Sequence, residues 1–93
     1  MIIGTCTVTL HAPWVNSLKE KRMVVKSLVE KLKHKFNISV CEADMNDSHR
    51  TIVIGFACVT NESRHANSII DNVINYIEEN SEAQIVDCDI EIL

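Results

Sequence analysis

A chain of 93 residues in which 46% are hydrophobic and 24% are charged has the size and composition of one small globular domain, residues 1–93. No apolar run approaches the ~18 residues of a membrane-spanning helix, and residues 1–7 lack the basic start and long apolar run of a signal peptide. We therefore expect a cytoplasmic protein without a membrane partner. The net charge of −4 argues against tight, indiscriminate binding of nucleic acid.

The first predicted element is a β-strand over residues 2–10, where side chains alternate in character. One face carries Ile2, Gly4, Cys6, Val8 and Leu10, and the other carries Ile3, Thr5, Thr7 and Thr9. The segment 11–16, which contains the single proline, ends this strand.

A helix is predicted from Ser17 to about Lys35, with Asn37 ending it. Residues 17–20 fit a capping box, which predicts that the Ser17 oxygen accepts from the amide of Glu20 and that the Glu20 side chain reaches back. Its apolar stripe consists of Leu18, Val25, Leu28, Val29, Leu32 and Phe36.

The second half of the chain predicts two strands, a helix and a last strand. The strands span residues 38–43 and 50–60, with a polar turn at 44–49, and the helix spans 61–79. In the last strand, residues 84–93, we expect Val86, Cys88, Ile90 and Ile92 inward and Ile85, Asp87, Asp89 and Glu91 outward.

The order of the elements is βαββαβ. Two helices, each with a single apolar face, are both buried when they pack on one side of a four-stranded antiparallel sheet. The predicted fold is therefore an α+β ferredoxin-like sandwich.

Several segments resemble the YlxP-like family of small bacterial proteins of unassigned function. The most specific is Ser17-Leu18-Lys19-Glu20-Lys21-Arg22, an SLKEKR-type signature, and residues 36–40, 54–57 and 59–62 also match. The resemblance implies a ferredoxin-like fold and a bacterial cytoplasmic setting, and the family's genes often lie near transcription and translation factors. The family's hairpin usually contains an Asp-Leu-Trp-type segment, whereas Asp47-Ser48-His49 stands here without the tryptophan.

Charge is concentrated in the first predicted helix. Seven of nine basic residues and two of 13 acids lie between Lys19 and Lys35, a net +5, against −9 from the two basic and eleven acidic residues elsewhere. The wheel places Lys19, Arg22, Lys26 and Lys33 along one border of the apolar stripe and Lys21, Lys31 and Lys35 along the other. Side chains beside an apolar face often extend along the core with their amines in water, which requires no ligand.

The first turn of this helix is harder to explain by folding alone. Helix N-termini favour acids, yet Lys19, Lys21 and Arg22 crowd this end. Cations beside free helix amides favour phosphate or an RNA backbone. The candidate site is therefore Lys19, Lys21, Arg22 and Lys26. Trp14, in the preceding loop, either stacks on a nucleobase or covers the edge of the core.

Other chemistry has little support in the sequence. Asp44, Asp47 and His49 are more typical of a solvated turn than of a metal site, and no cofactor motif is present. The four cysteines, Cys6, Cys41, Cys58 and Cys88, lie in apolar stretches and include no CxxC pair, which predicts buried, reduced thiols. We expect neither a cofactor nor an enzymatic activity.

Two functions remain open. The first is a non-enzymatic accessory factor that binds RNA or a ribosomal particle through the basic helix. The second is a homodimer or regulatory module that uses the open sheet face. We expect the acids of the last strand beside the threonines there, together with apolar residues of the third strand, from either Val53, Ala57 and Val59 or Ile52, Ile54 and Phe56.

Overall fold

A computed structural model describes residues 1–44 and 46–93. The elements, in chain order, are β1 (Ile2–His11), α1 (Leu18–Lys35), β2 (Ser39–Asp44), β3 (Thr51–Thr60), α2 (Ser63–Asn80) and β4 (Gln84–Ile92). Part of the predicted polar turn at 44–49 lies outside the described residues, because it includes Met45.

The four strands form one antiparallel sheet in the order β2-β3-β1-β4. Helix α1 packs mainly on β2 and β3, and α2 packs on β1, β3 and β4. The ferredoxin-like βαββαβ sandwich predicted from the periodicities is confirmed.

The core lies between the helices and the inward side chains of the two central strands. These side chains alternate along each strand, so every second residue is buried, as the pleat requires. The strands contribute Cys6, Val8, Leu10, Ile52, Ile54 and Phe56 to the core, and the helices contribute Val25, Leu28, Leu32, Ile70, Val73 and Ile77. Since β3 buries Ile52, Ile54 and Phe56, the open face carries the other set, Val53, Ala57 and Val59.

Gly4 lets α2 approach β1 closely. A Cβ atom at this position would lie 3.1 Å from Ala66 Cβ, Cys58 Sγ and Ile70 Cδ1, closer than side chains ordinarily pack. The helix can therefore sit directly over the strand.

The predicted alternation of β4 is wrong at its first residues. Asp87 pairs with Thr9, but the next residue of β1, Leu10, pairs with Ile85, so β4 has one extra residue there. This bulge moves Ile85 to the partly buried side and leaves Val86 exposed, the reverse of the prediction.

The predicted burial of all four cysteines is also wrong in part. All four are free thiols, and Cys6 and Cys58, on the central strands, are buried. Cys41 is exposed because it pairs with Gly55 on the open face, and Cys88 is exposed because it lies on the edge strand β4.

Candidate functional site

The basic helix begins where the sequence indicates. Ser17 has extended backbone angles, and its Oγ accepts a hydrogen bond of 3.1 Å from the amide of Glu20. This bond satisfies one of the amides that a helix N-terminus leaves without a partner.

Lys21 is buried, although it was predicted to contact RNA. Its side chain is 3% exposed, and Nζ donates to Ser48 O at 2.8 Å, to Asn46 Oδ1 at 3.2 Å and to Asn46 O at 3.3 Å. An ammonium group has three donors, and these three oxygens use them. Lys21 therefore holds the β2–β3 connection against α1 and is not free to bind a phosphate.

The spacing of the buried residues explains this position. Lys21 precedes Val25 by four residues and Leu28 by seven, so it lies on the stripe that faces the sheet. Leu18, which was expected on that stripe, is 41% exposed instead.

The other predicted cations of the first turns, Lys19, Arg22 and Lys26, are exposed on one flank of α1. At 3.6 residues per turn, these three and Lys33 fall within roughly 60° of one another and extend about 21 Å along the axis. We call Lys19, Arg22, Lys26 and Lys33 the cation row. Lys33 was placed on this border by the wheel but was not among the predicted contacts.

No cation of the row forms an ion pair in residues 1–44 and 46–93, although Glu30 lies four residues after Lys26, and Glu42 and Asp47 line the same cleft as Arg22. The single ion pair of those residues joins Arg64 Nη2 and Glu62 Oε2 at 3.3 Å, and both side chains are exposed. Lys33 lies in the last turn, where the helix dipole favours a cation, but Lys19 lies in the first turn, where the dipole disfavours it. The N-terminal part of the row is therefore the part that a bound anion would stabilise most.

Trp14 lies away from the cation row. It is 38% exposed and borders a groove of about 480 Å³ whose apolar wall includes Met23, Val24 and Leu28. On the helical wheel this wall is roughly 140° from the cation row. The structure therefore does not bring Trp14 together with Arg22 or Lys26, and the sequence carried no signal for this, because a loop residue has no fixed place on a helical wheel.

The open sheet face is acidic and threonine-rich, as expected. Thr5, Thr7 and Thr9 pair with Glu91, Asp89 and Asp87. Next to them, Ile3 pairs with Val59, which is 65% exposed. This face and the cation row therefore differ in charge and in apolar character.

The thiols near β4 have raised pKa values. Burial, followed by the nearby Cys88 and Asp89, raises the pKa of the Cys6 thiol to about 12. Partial burial, then the carboxylates of Asp87 and Glu78, raises the pKa of Cys88. Both groups are therefore protonated near neutral pH, which makes them poor nucleophiles.

Metal-ligand clusters and membrane-spanning helices are both absent from the described part of the chain. No group of three or more His, Cys, Asp or Glu side chains in residues 1–44 and 46–93 is arranged to hold a metal ion. Neither α1 nor α2 has the length and apolar character needed to cross a membrane.

The fold and the site define a small ferredoxin-like protein with a row of exposed cations on its first helix. The model of the family described as "Protein of unknown function (DUF503)" matches residues 3–90, and the chain belongs to this family. It is 31% identical over 62 residues to the uncharacterized protein YlxP of Bacillus subtilis (strain 168), an alignment covering 67% of each chain. The predicted resemblance to YlxP-like proteins is confirmed.

Solved structures of designed proteins share the fold. The design LFR1 1, with a ferredoxin fold, has a TM-score of 0.54 and 13% identity, covering 100% of this chain and 83% of the design. The design Foldit4 has a TM-score of 0.52 and 7% identity, covering 99% of this chain and 94% of the design. At such identities the likeness shows the fold alone.

Proposed function

We propose that this protein is a non-enzymatic accessory factor that binds RNA, within a ribosomal particle, through the cation row. The observation that carries the proposal is that Lys19, Arg22 and Lys26 are exposed together without an ion pair in the described residues, on a protein whose net charge is −4. Phosphate oxygens are the ligands that such a row fits.

Electrostatics favour a bound anion at the start of α1. A cation in the first turn costs about 0.3–1 kcal/mol against the helix dipole. A phosphate beside Lys19 and Arg22 would offset that cost and would also accept hydrogen bonds from both side chains. The same position supplies free helix amides, which add to the attraction.

The distribution of aromatic side chains supports contact with the RNA backbone rather than with bases. Phe56 is buried, Phe36 and Tyr76 pack edge to face at 5.5 Å between ring centroids, and Trp14 borders the groove on the other flank. In residues 1–44 and 46–93, no aromatic residue lies within four positions of Lys19, Arg22 or Lys26, so this part of the row offers no ring from α1 on which an unpaired base could stack. Contacts to phosphates position a protein without reading sequence.

The acidic remainder of the protein sets the expected strength of binding. It would repel isolated RNA and limit affinity. A composite site on a ribosomal particle, where a second contact adds to the first, suits this charge distribution better than free RNA does.

Affinity capture from a bacterial lysate tests the proposal. Ribosomal particles should co-purify with the protein, should be lost after ribonuclease treatment, and should not co-purify with the Arg22→Glu/Lys26→Glu variant. Recovery of the same particles by both forms of the protein would contradict the proposal.

The open sheet face supports a second candidate function, a homodimer or protein-interaction module. The exposed Val59 beside Ile3 is the observation that favours it, since an apolar strand at the centre of a polar face fits a protein contact. Sedimentation velocity tests the homodimer, because a strict monomer throughout the micromolar range would argue against it.

A further inference from the structure

The outer edge of β4 has main-chain groups that point away from the sheet. Ile3 and Leu93 exchange two hydrogen bonds, with N···O distances of 3.0 and 2.8 Å. In an antiparallel ladder such pairs alternate with pairs that exchange none. The pairs Gly4–Ile92, Cys6–Ile90 and Val8–Cys88 are the ones that exchange no hydrogen bonds. The N–H and C=O groups of Cys88, Ile90 and Ile92 therefore point away from β1.

The side chains along this edge have two characters. Those of Cys88, Ile90 and Ile92 point to the side that carries the helices, and Ile90 is 42% exposed. Those of Asp87, Asp89 and Glu91 point to the open face and are exposed. No basic residue lies in β4. A strand added to this edge would therefore meet apolar groups on one face and carboxylates on the other.

We propose that the β4 edge is a docking site for an extended segment of a partner protein in which basic residues alternate with apolar ones. Side chains that are directly opposite in an antiparallel pair share a face, so lysine or arginine would lie opposite Asp89 and Glu91 while valine or isoleucine lies opposite Ile90. The outward main-chain groups supply the hydrogen bonds of such strand addition.

A second copy of this chain does not fit the same edge. Antiparallel pairing of two β4 strands would place the acidic residues of one copy opposite those of the other. Like charges that are directly opposite destabilise a strand pair. The acids therefore disfavour self-pairing and favour a basic partner strand.

Titration with two synthetic peptides of nine residues tests this proposal. One alternates lysine with valine, and the other alternates glutamate with valine. Amide hydrogen exchange of the free protein should be slow at Asp87 and Asp89, whose N–H groups face β1, and fast at Cys88 and Ile90. The lysine–valine peptide should bind in a salt-sensitive manner and slow exchange at Cys88 and Ile90, whereas the glutamate–valine peptide should not bind.

Four variants separate charge from main-chain pairing. Asp89→Lys/Glu91→Lys should lower the affinity for the lysine–valine peptide by about tenfold or more, because two attractive charge pairs become repulsive. Asp71→Lys/Glu79→Lys, which makes the same change in net charge on α2, should change affinity much less. Ile90→Pro removes an outward N–H, and proline is tolerated on an edge strand, so it should weaken binding while Ile90→Val does not.

Clear outcomes would overturn the proposal. The first is that the lysine–valine peptide does not bind at millimolar concentration. The second is that it binds without slowing hydrogen exchange at the amides of Cys88 and Ile90. The third is that the two charge-reversed variants lose affinity equally. Protection of the same amides by self-association of the free protein would show that the occupant is a second copy.

Discussion

Lys21 Nζ lies 2.8 Å from the carbonyl oxygen of Ser48 and joins the first turn of α1 to the β2–β3 connection. The lysine that the charge pattern indicated as an anion contact is thus a buried structural residue. The cations that remain exposed, Lys19, Arg22 and Lys26, form the candidate site on another flank of the same helix.

Replacing Lys21 with methionine should destabilise the protein by about 1–3 kcal/mol, because the oxygens of Asn46 and Ser48 lose their donor while partly buried. Urea unfolding followed by circular dichroism measures this change. Lys26→Met, an exposed position on the same helix, should change the free energy of unfolding by less than about 0.5 kcal/mol. Equal, small effects of both substitutions would show that the Lys21 hydrogen bonds contribute nothing.

Trp14 should take no part in RNA binding. It is the single tryptophan, so its fluorescence reports on this position alone, and it lies on the flank away from the cation row. We expect bound RNA to leave the emission unquenched and Trp14→Leu to leave the affinity for RNA within about twofold. Strong quenching on binding would mean that a base stacks on the indole ring.

Two of the four thiols should react in the native protein. Cys41 and Cys88 are exposed, whereas Cys6 and Cys58 are buried. A chromogenic disulfide reagent should modify two thiols per chain under native conditions and four in denaturant. Because the pKa of Cys88 is raised by partial burial and by Asp87 and Glu78, its reaction with the reagent should accelerate as the pH rises. Cys88→Ser should remove the pH-dependent reaction of this thiol. Modification of all four thiols in the native protein would contradict the packing of β1 and β3.

Stability should fall at alkaline pH in a way that depends on Cys6. A thiol in an unfolded chain has a pKa of about 8.5, and burial raises the pKa of Cys6 to about 12 in the folded protein. The unfolded state therefore binds fewer protons than the folded state between these values, and stability decreases as the pH rises through that range. The difference in free energy of unfolding between wild type and Cys6→Ala should shrink above pH ~9. A difference in free energy of unfolding that stays constant with pH would show that Cys6 does not contribute to the alkaline loss of stability.

Much of the fold could be predicted because the periodicities were unambiguous. Alternation in β1 and the capping serine before α1 each predicted an element whose bounds agree with the structure to about one residue. In β4, however, Ile85 and Val86 are adjacent apolar residues, so the pattern fits either register. The bulge depends on pairing with β1, which is a tertiary contact.

The candidate site was harder to predict than the fold. Lysine is rarely buried, so Lys21 was assigned to the border of the apolar stripe, although its spacing of four residues from Val25 also fits the buried stripe. Its partners, Asn46 and Ser48, are 25 and 27 residues away, and nothing in the local sequence indicates that they meet it. The place of Trp14 likewise depends on how the loop before α1 folds back over the helix.

The salt dependence of binding is the measurement that decides whether the cation row binds RNA through its phosphates. If the four cations of the row neutralise phosphates, the logarithm of the association constant for RNA should fall with the logarithm of the salt concentration with a slope of about −3. For an RNA hairpin, Arg22→Glu/Lys26→Glu should weaken binding at least about tenfold and reduce that slope to about −1. Lys31→Glu/Lys35→Glu, with the same change in charge on the other flank of α1, should retain most of the affinity. Equal affinities and slopes for wild type and the first variant, or equal losses in the two variants, would show that the cation row is not the RNA-binding site.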